Sequence, residues 1–258
     1  MEVTLITGAS SGIGEALAIS FAAQKKNLVL VARNEAKLQS LCESLSSYHG
    51  IVCEYIVTDL IDADAAQKIY FICKSNKWHV NLLINNAGIG SSGEFVQNNL
   101  QSELEIIQVN NIALVALTHL FLKDMKALGE GSIINIASII AFIPGPYMAV
   151  YAGSKHFVKT FSQSLAEECR PYNIKVMLFS PGYTTSNFMN SPSNDNEWGK
   201  VLVSNASSQT PMEVAKELLE AYKQKKEFHI SGKKNRLTIF VTKLIPQRII
   251  AKSFAKQK

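Results

Sequence analysis

Short apolar runs alternate along this chain with longer stretches whose apolar residues recur every three to four positions. Runs rich in β-branched residues at 3–7, 28–32, 51–58, 82–84, 132–137 and 176–179 predict buried strands, with a short last strand at 228–231. Helical periodicity fills the gaps: residues 15–24, then 36–47 with Leu38, Leu41 and Leu45 inward, then 62–75 and a long helix over 104–128. Strands alternating with helices predict an α/β fold with a doubly wound parallel sheet. Residues 186–210 are polar and irregular, long enough for a lid over a substrate. A helix should then start at Thr210, with proline in its first turn and Glu213 completing a capping box. No repeat or linker divides the sequence, so residues 1–258 are expected to form one domain.

Candidate chemistry sits where the predicted strands end. The first runs into Gly8-Ala-Ser10-Ser11-Gly12-Ile13-Gly14 and then into a helix. Strand, glycine turn and helix start together present backbone N–H groups and a positive helix end to a phosphate, although an ordinary turn can also be glycine-rich. The second strand ends in Ala32-Arg33-Asn34, where a site for a bare ribose 2′-hydroxyl usually has an acidic residue. A guanidinium there suits a 2′-phosphate, with Lys37 as support; the alternative is a solvated strand end. Asn85-Asn86-Ala87-Gly88 closes the fourth strand, in the crevice where open α/β sheets bind ligands. Asn110 and Asn111 interrupt an apolar helix and need partners. Ser138 ends the fifth strand, as a turn former or a carbonyl-binding hydroxyl. Tyr151 and Lys155 stand four residues apart, one helical turn, where an ammonium could lower the phenol's pKa. Pro181-Gly182 follows the sixth strand.

Composition narrows the classes. With 47% apolar and 18% charged residues the chain can bury a sizeable core. Its net charge of +5 is modest and concentrated in the last quarter, with no arginine-rich arm, so no nucleic-acid partner is expected. Cys42, Cys53, Cys73 and Cys169 are scattered and read as free thiols. His49, His79, His119, His156 and His229 have no metal-ligand spacing, and no metal is expected. No stretch reads as a leader or as a run of about 18 apolar residues, so the protein is expected to be soluble and cytoplasmic. The tail at 233–258 is basic and partly apolar, broken by Pro246. It either closes the pocket mouth or touches membrane; the expectation is packing over the pocket with at most peripheral attachment.

In combination and chain order, these motifs resemble the short-chain dehydrogenase/reductase family over roughly residues 3–190. The resemblance implies a Rossmann-type sheet of about seven strands in the order 3-2-1-4-5-6-7. It implies a nicotinamide cofactor, NADP(H) rather than NAD(H), with Arg33 on the 2′-phosphate. Gly8, Ser10, Ser11, Gly12, Ile13, Gly14, Asn34, Asp59, Leu60, Asn86, Ala87, Gly88, Tyr151, Lys155, Pro181, Gly182, Thr184 and Ser186 would complete the cofactor site. The hydroxyl on the carboxamide would be Ser186, with Thr184 and Thr185 as alternatives. Asn110, Ser138, Tyr151 and Lys155 match the family's catalytic positions. Tyr151 would donate the proton, Ser138 would bind the carbonyl oxygen, Lys155 would tune the tyrosine and hold the ribose, and Asn110 would anchor a water. A homodimer or homotetramer is implied, paired through the helices bearing Asn110 and Tyr151. The apolar wall formed by Phe142, Pro144, Tyr147, Met148, Phe188 and Met189 favours a lipophilic ketone, ketoacyl or steroid-like substrate. The alternative is a catalytically silent NADP(H)-responsive binding protein.

Overall fold

In the computed structural model, residues 1–185, 188 and 208–255 are described. Seven parallel strands form one sheet in the order β3-β2-β1-β4-β5-β6-β7. They are β1 (Glu2–Thr7), β2 (Leu28–Ala32), β3 (Cys53–Val57), β4 (His79–Asn85), β5 (Gly131–Ile136), β6 (Ile174–Ser180) and β7 (Phe228–Ile230). The early helices are α1 (Gly12–Ala22), α2 (Glu35–His49), α3 (Ala65–Ser75), α4 (Leu100–Ile107) and α5 (Leu114–Leu128). They are followed by α6 (Ala149–Cys169), α7 (Pro211–Lys223), α8 (Lys233–Thr242) and α9 (Gln247–Ala255).

Because side chains alternate across a strand, β1 sends Ile6 into one core and Val3 and Leu5 into the other. The first core is closed by α1, α2 and α7 through Leu17, Phe21, Leu38, Leu45 and Leu218. The second is closed by α3, α5 and α6 through Ile69, Leu117, Phe121 and Leu165. The chain runs outward from β1 to β3 and then returns to place β4 on β1's other edge. That reversal opens a crevice beyond the C-terminal ends of β1 and β4.

Several boundaries differ from the sequence pattern for identifiable reasons. β4 starts at His79 rather than 82, because His79 and Asn81 are polar residues on a strand end; Asn81 donates to the Glu2 carboxylate at 2.7 Å. α3 starts at Ala65, since the preceding aspartates form a turn closed by Ala65 N–H on the Asp62 carbonyl at 3.1 Å. The capping box at Thr210 and Glu213 is present. The long helix begins at Leu100 behind Asn99, whose side chain accepts from Ser102 N–H. It contains a π-helical turn at Gln108–Ala113.

This composite helix, Leu100–Leu128, is long and apolar enough to cross a bilayer, which corrects the expectation that no stretch would be; half of its apolar window is buried in the fold. Leu114, Leu117, Phe121 and Leu165, on the helices expected to pair two subunits, are core residues of the chain itself. What this side leaves exposed is Leu104, Ile107, Ile112 and Phe157. The lid expected over 186–210 falls mostly outside the described residues, as do Ser186 and Met189.

Candidate active site

The crevice between β1 and β4 is closed by a hydrogen-bond lattice. Thr7 Oγ1 accepts the N–H groups of Asn86 and Ala87, each at 3.0 Å. Asn86 Nδ2 donates to the Thr7 carbonyl at 2.8 Å and the Gly8 carbonyl at 3.4 Å. Gly8 has φ +67°, and a Cβ there would stand 2.9 Å from Ala87 Cα. A Cβ on Gly14 would collide with the Gly8 carbonyl oxygen. The glycine turn is thus pressed against the β4 turn, with no room for side chains. No side chain caps α1 at Ser11, which leaves its first N–H groups, those of Gly12, Ile13 and Gly14, to a ligand. This cradle fits a pyrophosphate.

At the end of β2, Arg33 forms an ion pair with Asp59 at 3.4 Å and is otherwise largely exposed. Asp59 Oδ1 also accepts the Ile61 N–H at 3.1 Å. Asn34 caps α2 by accepting from Lys37 N–H at 3.0 Å, and Leu60 is buried in the second core. The side chains of Asn34 and Leu60 are therefore engaged in the fold, while Arg33 and Asp59 present charge here beside the exposed Glu35 and Lys37 of the first turn of α2.

The other end of the crevice is built on the π turn. Such turns shift side chains that a regular α-helix would aim elsewhere. Asn110 Oδ1 accepts the Ile89 N–H at 2.9 Å, and its Nδ2 donates to the Ile89 carbonyl and to Ser154 Oγ, both at 2.9 Å. Asn111 Nδ2 donates to the Ser154 carbonyl at 2.9 Å. Ser154 lies between Tyr151 and Lys155 in sequence, and Ser154 Oγ donates to the Tyr151 carbonyl at 2.7 Å. The helix bearing Asn110 is thereby tied to the helix bearing the tyrosine and lysine. A Cβ on Gly88 would sit 3.2 Å from both Asn110 Oδ1 and Lys155 Nζ, so the three residues enclose one small space.

Lys155 is buried and donates to the Ile136 carbonyl at 3.0 Å. Burial holds its pKa down to about 8. Burial pushes the Tyr151 phenol up to about 12, opposed by a hydrogen bond from Ser138. Tuning of Tyr151 had been expected from Lys155; in this structure the hydroxyl of Ser138 is the group that lowers it, and burial outweighs it. Ser138 is the turn former expected of it, since it accepts the Ile140 N–H at 3.3 Å and starts the short turn Ile139–Phe142. Tyr151 belongs to an apolar cluster with Ile140, Ile143, Phe142, Met148 and Phe188, which also takes in Ile239 of α8 and Ile250 and Phe254 of α9.

Beyond β6, the Pro181 carbonyl accepts the Ile139 N–H at 2.9 Å, which joins this turn to Ser138's. Thr184 Oγ1 donates to the Gly182 carbonyl at 3.2 Å, and Thr184 pairs with Gln209 in an isolated bridge. Asn235 was not foreseen: its side chain lies where a Cβ of Gly182 would be. Gln209 was not foreseen either; it accepts from Ser231 Oγ at 2.9 Å and anchors the far end of the loop. Ser154 could have been noticed as a polar residue on the inward face of an amphipathic helix; Gln209 and Asn235 carry no sequence signal. Among the described residues no group of histidine, cysteine or carboxylate side chains could hold a metal.

The sequence matches the short chain dehydrogenase family over residues 2–198. The chain belongs to the short-chain dehydrogenase/reductase family. It is 34% identical over 227 residues to a dehydrogenase/reductase SDR family protein 7-like of Anopheles gambiae, covering 85% of this chain and 71% of that one. The structure superposes on a short-chain dehydrogenase from Sphingobium yanoikuyae in complex with NADPH with TM-score 0.83 and 28% identity, over 95% and 94% of the two chains. A bulky-bulky ketone specific alcohol dehydrogenase from Comamonas testosteroni gives TM-score 0.78 at 28% identity, over 95% and 92%. As a family member the protein is an oxidoreductase of the CH–OH/C=O couple that uses a nicotinamide cofactor.

Proposed function

We propose that this dehydrogenase/reductase is an NADP(H)-dependent reductase of bulky lipophilic ketones, of the ketoacyl or steroid-like kind. The observation that carries the reading is the buried phenol of Tyr151, in contact with Ser138 and walled by apolar side chains. The start of α1 would hold a nicotinamide cofactor's pyrophosphate and Arg33 its 2′-phosphate, and the hydride for the carbonyl carbon would come from that cofactor. The residues do the rest. Ser138 donates a hydrogen bond to the substrate oxygen, which stabilises the charge that develops there. Tyr151, fully protonated at neutral pH because burial raises its pKa, donates its proton to that oxygen. Lys155, held over the Gly88 turn, supports the resulting phenolate electrostatically and would hold the nicotinamide ribose; Asn110 fixes the Ile89 turn beside it. Alcohol oxidation runs through the same groups with Tyr151 as base.

The apolar lining supports a lipophilic substrate, as does the likeness to a bulky-ketone enzyme. The exposed Leu104, Ile107, Ile112 and Phe157 on the α4–α6 side support self-association through those helices. The test is NADPH consumption with a panel of ketosteroids, ketoacyl thioesters, bulky aryl ketones and sugars. Turnover of the first three classes and not the sugars is expected; a preference for sugars, or for NADH, overturns the reading.

A further inference from the structure

The tail helices that roof the Tyr151 cluster have a second face. Inward, Ile239, Ile250 and Phe254 join the apolar cluster that contains Tyr151, Phe142 and Met148. Outward, Leu237, Phe240, Val241 and Leu244 follow one another at helical spacing, with Ile245 and Ile249 close by, and all six are exposed, Leu244 to 77%. Both helices turn inward to one cluster, so their outer faces look away from the body together.

The charge carried by the segment that forms this apolar surface is of one sign, although Arg236 on its inner side pairs with Glu217 of α7 at 3.5 Å. Lys233, Lys234, Lys243, Arg248 and Lys252 are interspersed with these residues along α8 and α9, and no aspartate or glutamate follows Glu227 in the sequence. Residues 228–258 carry eight of the chain's 26 basic residues and none of its 21 acidic ones. The ammonium of Lys243 also presses on Lys159 of α6, which burial and that repulsion hold below the usual lysine range. A second copy docked face to face would set cation against cation. An exposed bulky apolar strip interspersed with basic residues matches an anionic lipid surface, where the rings enter the headgroup layer and the cations meet lipid phosphates.

We propose that the outer face of α8 and α9 docks the protein peripherally on bilayers carrying anionic lipid. The same two helices cover the substrate wall, so docking sets the pocket roof against the bilayer, and a lipophilic ketone enters from the lipid side. That second step rests on the substrate reading above; the docking does not.

The experiment is flotation of the full chain with vesicles of phosphatidylcholine alone or mixed with phosphatidylglycerol. The protein is expected to float with the mixed vesicles at least tenfold more than with the neutral ones, and to be released by salt. Two double variants, Phe240→Ser with Leu244→Ser and Lys243→Glu with Arg248→Glu, should each weaken flotation at least tenfold. Turnover of a water-soluble carbonyl should stay within twofold, which shows that they fold. Wild-type protein that stays in solution with anionic vesicles overturns the proposal. So do variants that float normally, or that split an oligomer in light scattering while wild type ignores vesicles, which would assign the face to a second copy. Flotation needs no catalysis, so a protein that floats but reduces no ketone refutes the substrate reading and leaves the docking standing.

Discussion

At one end of the crevice Asn110 and Lys155 are buried and held by hydrogen bonds of 2.9–3.0 Å to backbone and to Ser154. At the other, Arg33 has 67% of its side chain in solvent and is held by one ion pair at 3.4 Å. Burial fixes geometry and moves proton affinities; exposure leaves a side chain free to change partners. The end bearing Tyr151 and Lys155, proposed as the catalytic one, is therefore built in advance, and the end bearing Arg33, proposed to take the adenosine, is free to adapt to a ligand. Changes at the first should alter rate and stability together, while changes at the second should alter cofactor choice alone.

The sharpest break is Tyr151→Phe. It removes the phenolic proton and keeps the ring against Phe188, whose centroid is 5.5 Å away. Turnover should fall at least roughly a hundredfold with NADPH affinity nearly unchanged, read by stopped-flow absorbance and by fluorescence titration. Retention of most activity would show that another group donates the proton.

Lys155 tests whether the built end stores strain. The unfolded chain keeps this lysine protonated to its ordinary value of 10.5, whereas the folded protein releases the proton near 8. Between those values the unfolded state binds more protons, so stability must rise with pH through that window. The gain is on the order of 3 kcal/mol if Tyr151 stays protonated. Lys155→Met should abolish that slope, raise stability at neutral pH and cost activity, as seen by thermal unfolding from pH 7 to 10. A wild-type curve flat over that range would count against a burdened lysine.

A smaller effect is expected at Asn110, which bonds to Ile89 and Ser154. Asn110→Ala leaves their polar groups unpaired in the interior and should destabilise by about 1–3 kcal/mol in urea unfolding. It should also loosen the tie between the π turn and α6, so activity falls while cofactor selectivity does not move.

The same contrast explains what could be read from sequence. Tyr151, Lys155, Ser138 and the glycine turn were each legible locally, at strand ends or one helical turn apart, and it was the family resemblance that implied their common site. The strands were visible wherever both faces are buried, as at Leu28–Ala32; the polar start of β4 at His79 was hidden because pattern reading counts apolar residues. The π turn left only a trace, the two asparagines in an apolar helix, since a one-residue change of helical ladder has no composition of its own. Asn235 and Gln209 reach Gly182 and the loop from distant segments, which no periodicity encodes. Arg33 was legible as a charge, but its pairing with Asp59 was not.

That pairing defines the finest test. An exposed ion pair is worth only about 0–1 kcal/mol, so Asp59 restrains Arg33 weakly. A 2′-phosphate offers more charge and more acceptor oxygens than one carboxylate, and should draw the guanidinium away from it. Arg33→Ala should then weaken NADPH by about 1–3 kcal/mol and leave NADH within about threefold, with the difference shrinking at high salt. Asp59→Asn should act in the opposite sense and more weakly, tightening NADPH by removing both the competitor and a negative charge near the phosphate. Binding titrations of both cofactors to both variants decide the matter. Equal losses for NADPH and NADH in Arg33→Ala would make the arginine a structural strand end, and the adenosine end would then be as fixed as the catalytic one.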